Sequence, residues 1–188
     1  MEIIKKKSST QKMIWCALFT VLIIVGAFIK IPIPMVPFTL QLLFTMMAGL
    51  ILGAKWGAIS VLVYIVMGLI GIPVFASGGG ISYIFQPTFG YLIGFCIGSY
   101  ATGKIANIVS EPSIKRLLAA NFVGLAIVYI FGMIYYYIIG NFVINSHIRL
   151  WPLFLYCFIL AVPGDIVLCI LAAILGKRLI PIIRRMEK

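Results

Sequence analysis

Six apolar runs, at 13–29, 39–54, 57–72, 90–109, 117–140 and 152–175, dominate this chain, separated only by short stretches of charge, proline and glycine. Their lengths approach or reach the roughly 17–25 residues that carry a helix across a bilayer. A water-facing globule cannot hide this much hydrocarbon. Charged residues make up 10% of the sequence, against about 25% in soluble domains. The sequence therefore predicts an all-α integral membrane protein: one domain over 1–188, a compact bundle of six transmembrane helices, with basic tails at 1–12 and 176–188. The first run reads as a retained span and not a cleaved leader. No small-residue cleavage site follows it; Lys30 and the prolines Pro32, Pro34 and Pro37 do.

Charge sets the orientation. With the N-terminus inside, all 15 lysines and arginines except Lys30 and Arg149 fall on the inner side, the bias expected of cytoplasmic segments. Both termini are thus predicted to be cytoplasmic, in a multi-pass protein of a cell membrane, by expectation a bacterial plasma membrane. The net charge of +11 follows from this topology. The basic residues are not interleaved with aromatics on one face, so no nucleic-acid partner is expected; membrane lipid is. The outer connections differ from the short inner ones. The stretch 73–89 reads PVFASGGGISYIFQPTF, without a charge. It reads as a lid folded over a cavity, the alternative being a loop resting on headgroups.

Within this frame Asp165 stands apart. The other acids, Glu2, Glu111 and Glu187, lie at a terminus or in a basic loop, whereas Asp165 sits inside the last apolar run. A carboxylate at bilayer depth costs a few kcal/mol unless a partner, a wet cavity or a ligand satisfies it. Gln41 and Thr39 fall near the outer end of the second run, and Gln86 lies in the uncharged loop. Phe38, Phe75, Tyr83 and Tyr91 are placed to form an aromatic shell. A few polar groups inside such a shell match a small-molecule site, and these eight residues are the candidate substrate contacts. Each aromatic taken singly is equally consistent with an interfacial belt.

Catalysis finds little support. His147 is the sole histidine, and Cys16, Cys96, Cys157 and Cys169 lie apart in apolar runs. They form no metal or disulfide pattern, and no nucleotide-binding motif is present. No enzyme activity, metal or cofactor is expected. Gly49, Gly53 and Gly57, and again Gly90, Gly94 and Gly98, repeat at intervals that let helices approach closely, and internal packing is the simplest reading. Cys16 and Thr20 form a similar small-residue notch in the first run.

Four ordered motifs then carry a resemblance: VPFTLQ at 36–41, GLIGIPVFASGGG at 68–80, PTFGYLIGF at 87–95 and PGD at 163–165. Together they resemble the BioY family, the biotin-binding S components of energy-coupling factor (ECF) transporters. The resemblance implies a six-helix membrane fold that binds biotin near the extracellular side. It also implies assembly with a transmembrane T component and two ABC-type ATPase subunits, which supply the power. A small-residue patch on the family's first helix, used for the T component, maps onto Cys16 and Thr20. Two positions depart from the family pattern: Leu168 stands where a lysine is often found, and Phe89 where a glycine is. An S component for another vitamin-like ligand, or a non-transport membrane protein, remains an open alternative from the residues alone.

Overall fold

A polypeptide surrounded by hydrocarbon has no water to satisfy its amides, so apolar runs close their hydrogen bonds within helices. The structure, a computed structural model, describes residues 9–32 and 35–186. Lys5, Lys6, Lys7 and Lys188 of the basic tails, and Pro34, lie outside these. In chain order the elements are α1 (Ser9–Phe28), β1 (Lys30–Ile31), β2 (Phe38–Thr39), α2 (Gln41–Leu69), a 3₁₀ turn (Ile81–Phe85), α3 (Phe89–Ala106), α4 (Ile114–Ile138), a π turn (Ile139–Val143), α5 (Leu150–Phe154), a second π turn (Leu155–Ile159) and α6 (Val162–Met186). Four helical segments, Thr10–Phe28, Gln41–Leu69, Ile114–Val143 and Leu150–Arg185, are long and apolar enough to cross a membrane. The protein is an all-helical, multi-pass membrane protein. β1 and β2 form a short antiparallel ribbon between α1 and α2.

The second and third apolar runs fall in one element, α2, which breaks at Gly53 (φ 82°, ψ 176°). A Cβ placed on Gly57 would lie 2.7 Å from the Cα of Gly49. Residues eight apart in a straight helix are separated by about 12 Å, so the limbs 41–52 and 54–69 fold back on one another. The Gly53 conformation is essentially reserved for glycine, although a Cβ there would meet nothing within 4 Å. Gly53→Ala is therefore expected to cost about 1–3 kcal/mol through backbone strain alone, read as a lower thermal unfolding midpoint in detergent. An unchanged midpoint would argue against the reversal.

Apart from Gly53, both glycine series lie where helical segments meet, Gly57 against the other limb of α2. α3 packs along α2 and α4: a Cβ on Gly94 would lie 2.8 Å from the Cα of Val128, and one on Gly98 3.0 Å from the carbonyl oxygen of Gly124. On the other side of α3, the backbone of Gly103 approaches Ala54 equally closely.

Two stretches singled out in the sequence take up definite places in the fold. The Cys16–Thr20 notch is buried against α2. The Thr20 hydroxyl donates to the carbonyl oxygens of Cys16 and Ser60, each at 3.0 Å, so in this arrangement the notch is filled from within the chain. The basic segment from 176 continues α6 to Met186. Ile180 and Ile183 remain buried on the bundle, and Arg184 is held by the Oδ1 of Asn107 at 2.5 Å and by the carbonyl of Ser110. Apolar contact on one face keeps the helix going past the point where charge begins on the other.

Candidate functional site

The elements converge on a cavity at the end of the bundle that carries the β1–β2 ribbon and the uncharged loop. It offers about 80 Å³ to the centres of water-sized molecules, room for several waters. Its wall is drawn from β2 and the start of α2 (Phe38, Thr39, Gln41), from the loop (Ala76, Ser77, Tyr83), from α3 (Thr88 at its N-cap, Tyr91, Phe95), from α4 (Tyr129) and from the last segment (Cys157, Ala161, Asp165). Each group is positioned by local sequence. Pro163-Gly164-Asp165 opens α6, and the glycine has a direct purpose: a Cβ on Gly164 would lie 2.6 Å from the Phe38 ring, so only a bare backbone lets that ring rest there. Tyr91 is seated in the same way, its ring lying against Gly132 of α4.

The half-buried Asp165 carboxylate accepts a hydrogen bond from the Tyr129 hydroxyl. The Tyr129 ring is fixed by edge-on contacts with Phe158 (centroids 5.2 Å apart) and Tyr91 (6.3 Å). No lysine or arginine is hydrogen-bonded to this carboxylate among the described residues. In the same cavity the Nε2 of Gln41, a side chain only 3% exposed, makes no hydrogen bond. It sits next to the Tyr64 hydroxyl without normal hydrogen-bond geometry between them. The Tyr91 hydroxyl, beside the Cys157 thiol, likewise has no partner in normal hydrogen-bond geometry among the described residues. Buried donors normally find acceptors, and leaving one unmet costs about 1–3 kcal/mol. The residues around the cavity thus supply one carboxylate acceptor and two donors buried within an aromatic and aliphatic wall.

The cavity brings together Asp165, Gln41, Thr39, Phe38, Tyr83 and Tyr91, and leaves out Phe75 and Gln86. Phe75 is buried one layer below the wall. Its ring packs against Gly68, edge-on to Tyr64 and 4.4 Å from the Tyr83 ring, so it supports Tyr83 from behind. Gln86 closes the 3₁₀ turn through its backbone, its N–H donating to the Tyr83 carbonyl at 3.0 Å, with its side chain exposed. The loop is also held at Ile84, whose carbonyl accepts from the Tyr135 hydroxyl at 2.6 Å. Tyr129, the partner of Asp165, is not among the residues that the sequence alone singles out. A hydroxyl deep in an apolar run was the available signal.

A helical membrane bundle that closes a loop over one small, mixed-polarity cavity belongs to the class of substrate-binding membrane subunits, and known proteins place it there. A crystal structure at 2.1 Å of the S-component for biotin from an ECF-type ABC transporter matches with a TM-score of 0.79 at 28% identity, over 94% of each chain. The chain belongs to the BioY family, whose pattern matches residues 4–185. A probable biotin transporter BioY of Lysinibacillus sphaericus is 44% identical over 179 residues, 95% of this chain and 91% of the relative. The biotin transporter BioY of Thermotoga maritima is 40% identical over 124 residues, 65% of this chain and 72% of the relative. These relatives are transporters, not enzymes.

Proposed function

We propose that this protein is the biotin-binding S component of an ECF-type importer, capturing biotin on the outer side of the cell membrane and delivering it inward. The observation that carries this reading is the shared cavity of Asp165, braced by Tyr129, with the unpartnered donors of Gln41 and Tyr91. Biotin's ureido ring has two N–H donors and one carbonyl acceptor. The Asp165 carboxylate accepts an N–H in a charge-assisted bond. Gln41 Nε2 or the Tyr91 hydroxyl donates to the carbonyl. Phe38, Tyr83, Tyr91 and Phe95 cover the apolar thiophane ring and alkyl chain.

The same reading includes six crossings, with the reversal at Gly53 separating the second from the third, and cytoplasmic termini, supported by the distribution of basic residues. A transmembrane T component and two ABC-type ATPase subunits are the expected partners. Cys16 and Thr20 act in that assembly through the position they give α1 against α2.

Mass spectrometry of small molecules copurified with the protein, paired with direct biotin titration, tests the substrate. Biotin is the expected copurified species. A different vitamin, or failure to bind biotin at micromolar concentrations, would overturn the assignment. Tyr129→Phe leaves the carboxylate without its brace and is expected to weaken biotin binding by about 1 kcal/mol, close to fivefold. Isothermal titration would detect this, and an unchanged affinity would remove Tyr129 from the site.

A further inference from the structure

We infer that Lys30 binds the anionic end of the ligand and so fixes which way round it lies, an inference that rests on the biotin reading above. Lys30 opens β1, where it pairs with Thr39 across the ribbon, and Thr39 is in the cavity wall. The Lys30 ammonium donates to the carbonyl oxygen of Ala76 at 2.7 Å, and Ala76 is also in the wall. One side chain therefore joins the two segments that form the rim. Lys30 itself stands outside the wall, and the wall contains no lysine or arginine among the described residues. One turn beyond Asp165 the position is Leu168, buried and apolar, so α6 brings no cation to the cavity there.

Among the described residues Lys30 also has no anion of its own. The acids among the described residues are Glu111 and Asp165. Glu111 lies beside Lys177, Arg184 and Arg185, on the predicted inner side, while Asp165 faces the cavity with Tyr129. An ammonium carries three N–H donors, and the Ala76 carbonyl engages one. The cavity is thus bipolar, with a carboxylate in its wall and an ammonium at its rim. At the edge of a low-dielectric bundle, both charges act more strongly than in water. A ligand carboxylate is repelled from Asp165 and attracted to Lys30, whereas N–H groups prefer the reverse. The chemical class selected is a small molecule with N–H donors at one end, an apolar middle and a carboxylate at the other end.

The test compares biotin with biotin methyl ester, which differs only in lacking the tail charge, on wild-type protein, Lys30→Met and Lys30→Arg, by isothermal titration at low and high salt. The wild type should prefer biotin by about tenfold, a preference that shrinks with salt as expected of a partly exposed charge pair. Lys30→Met should bind both compounds with the affinity the wild type has for the ester, and Lys30→Arg should restore the preference. Retention of the wild-type preference by Lys30→Met would overturn the inference. An equal loss for both compounds would overturn it too, reducing Lys30 to a tie between rim segments. A wild-type protein that binds neither compound overturns the biotin reading itself, and this inference with it. Thermal midpoints matching the wild type establish that the variants are folded.

Discussion

Asp165→Asn is expected to weaken biotin binding by about 2–5 kcal/mol, the cost of removing the charged partner from a buried, charge-assisted hydrogen bond. That is roughly thirtyfold to several thousandfold in Kd. The substitution keeps the shape of the side chain and an oxygen able to accept from Tyr129, so the bundle should fold with its usual stability. What it removes is the negative charge that strengthens a bond from a ureido N–H, and with its oxygen turned to Tyr129 it sets an amide N–H against that donor. Titration with biotin reads the effect directly. A variant within twofold of the wild type would exclude Asp165 from substrate recognition. Because Tyr129→Phe removes only the brace, its smaller loss should rank below that of Asp165→Asn; the opposite order would mean that the tyrosine, and not the acid, meets the substrate.

The second large effect concerns the bundle. A side chain at Gly49 would run into the backbone carbonyl oxygen of Ser99 and lie 3.2 Å from the backbone nitrogen of Gly103. Neither is the movable end of a flexible side chain, so α2 and α3 must separate. In a bilayer, where lipid tails are as apolar as the helices, close backbone packing is a principal force holding helices together. Gly49→Val is expected to cost about 3 kcal/mol or more, lowering the unfolding midpoint by roughly 6–12 °C for a chain of this size. A midpoint within a degree or two of the wild type would show that this contact does not hold the bundle. The comparison with Gly53→Ala separates two reasons for keeping glycine, since the Gly53 site is open in space and constrained only in its backbone.

Particular residues show how far a sequence of this kind can be read. The apolar runs were legible because lipid demands long uncharged stretches, and Asp165 because charge within such a stretch is costly. The loop over the cavity was legible from what it lacks, since a charge-free outer loop has little reason to face water. Tyr129 was not. The chain has 9 tyrosines, many consistent with an interfacial belt, and what distinguishes this one is that α4 and α6 lie side by side, a contact made between distant parts of the chain. The extent of α6 was hidden because lysine and arginine resemble a tail when the buried Ile180 and Ile183 on the opposite face are not visible. The small residues Cys16 and Thr20 suit a close approach by another helix. Residue size does not say which helix, and the structure brings in the 54–69 limb of α2.

The contact between Phe38 and Gly164 has a mechanical consequence. The aromatic ring belongs to the β1–β2 ribbon, and the glycine immediately precedes Asp165, so the ribbon and the acid-bearing segment share one footing. Any displacement of the ring is felt by the backbone that presents the acid, and a methyl group at Gly164 would push the two apart at the site itself.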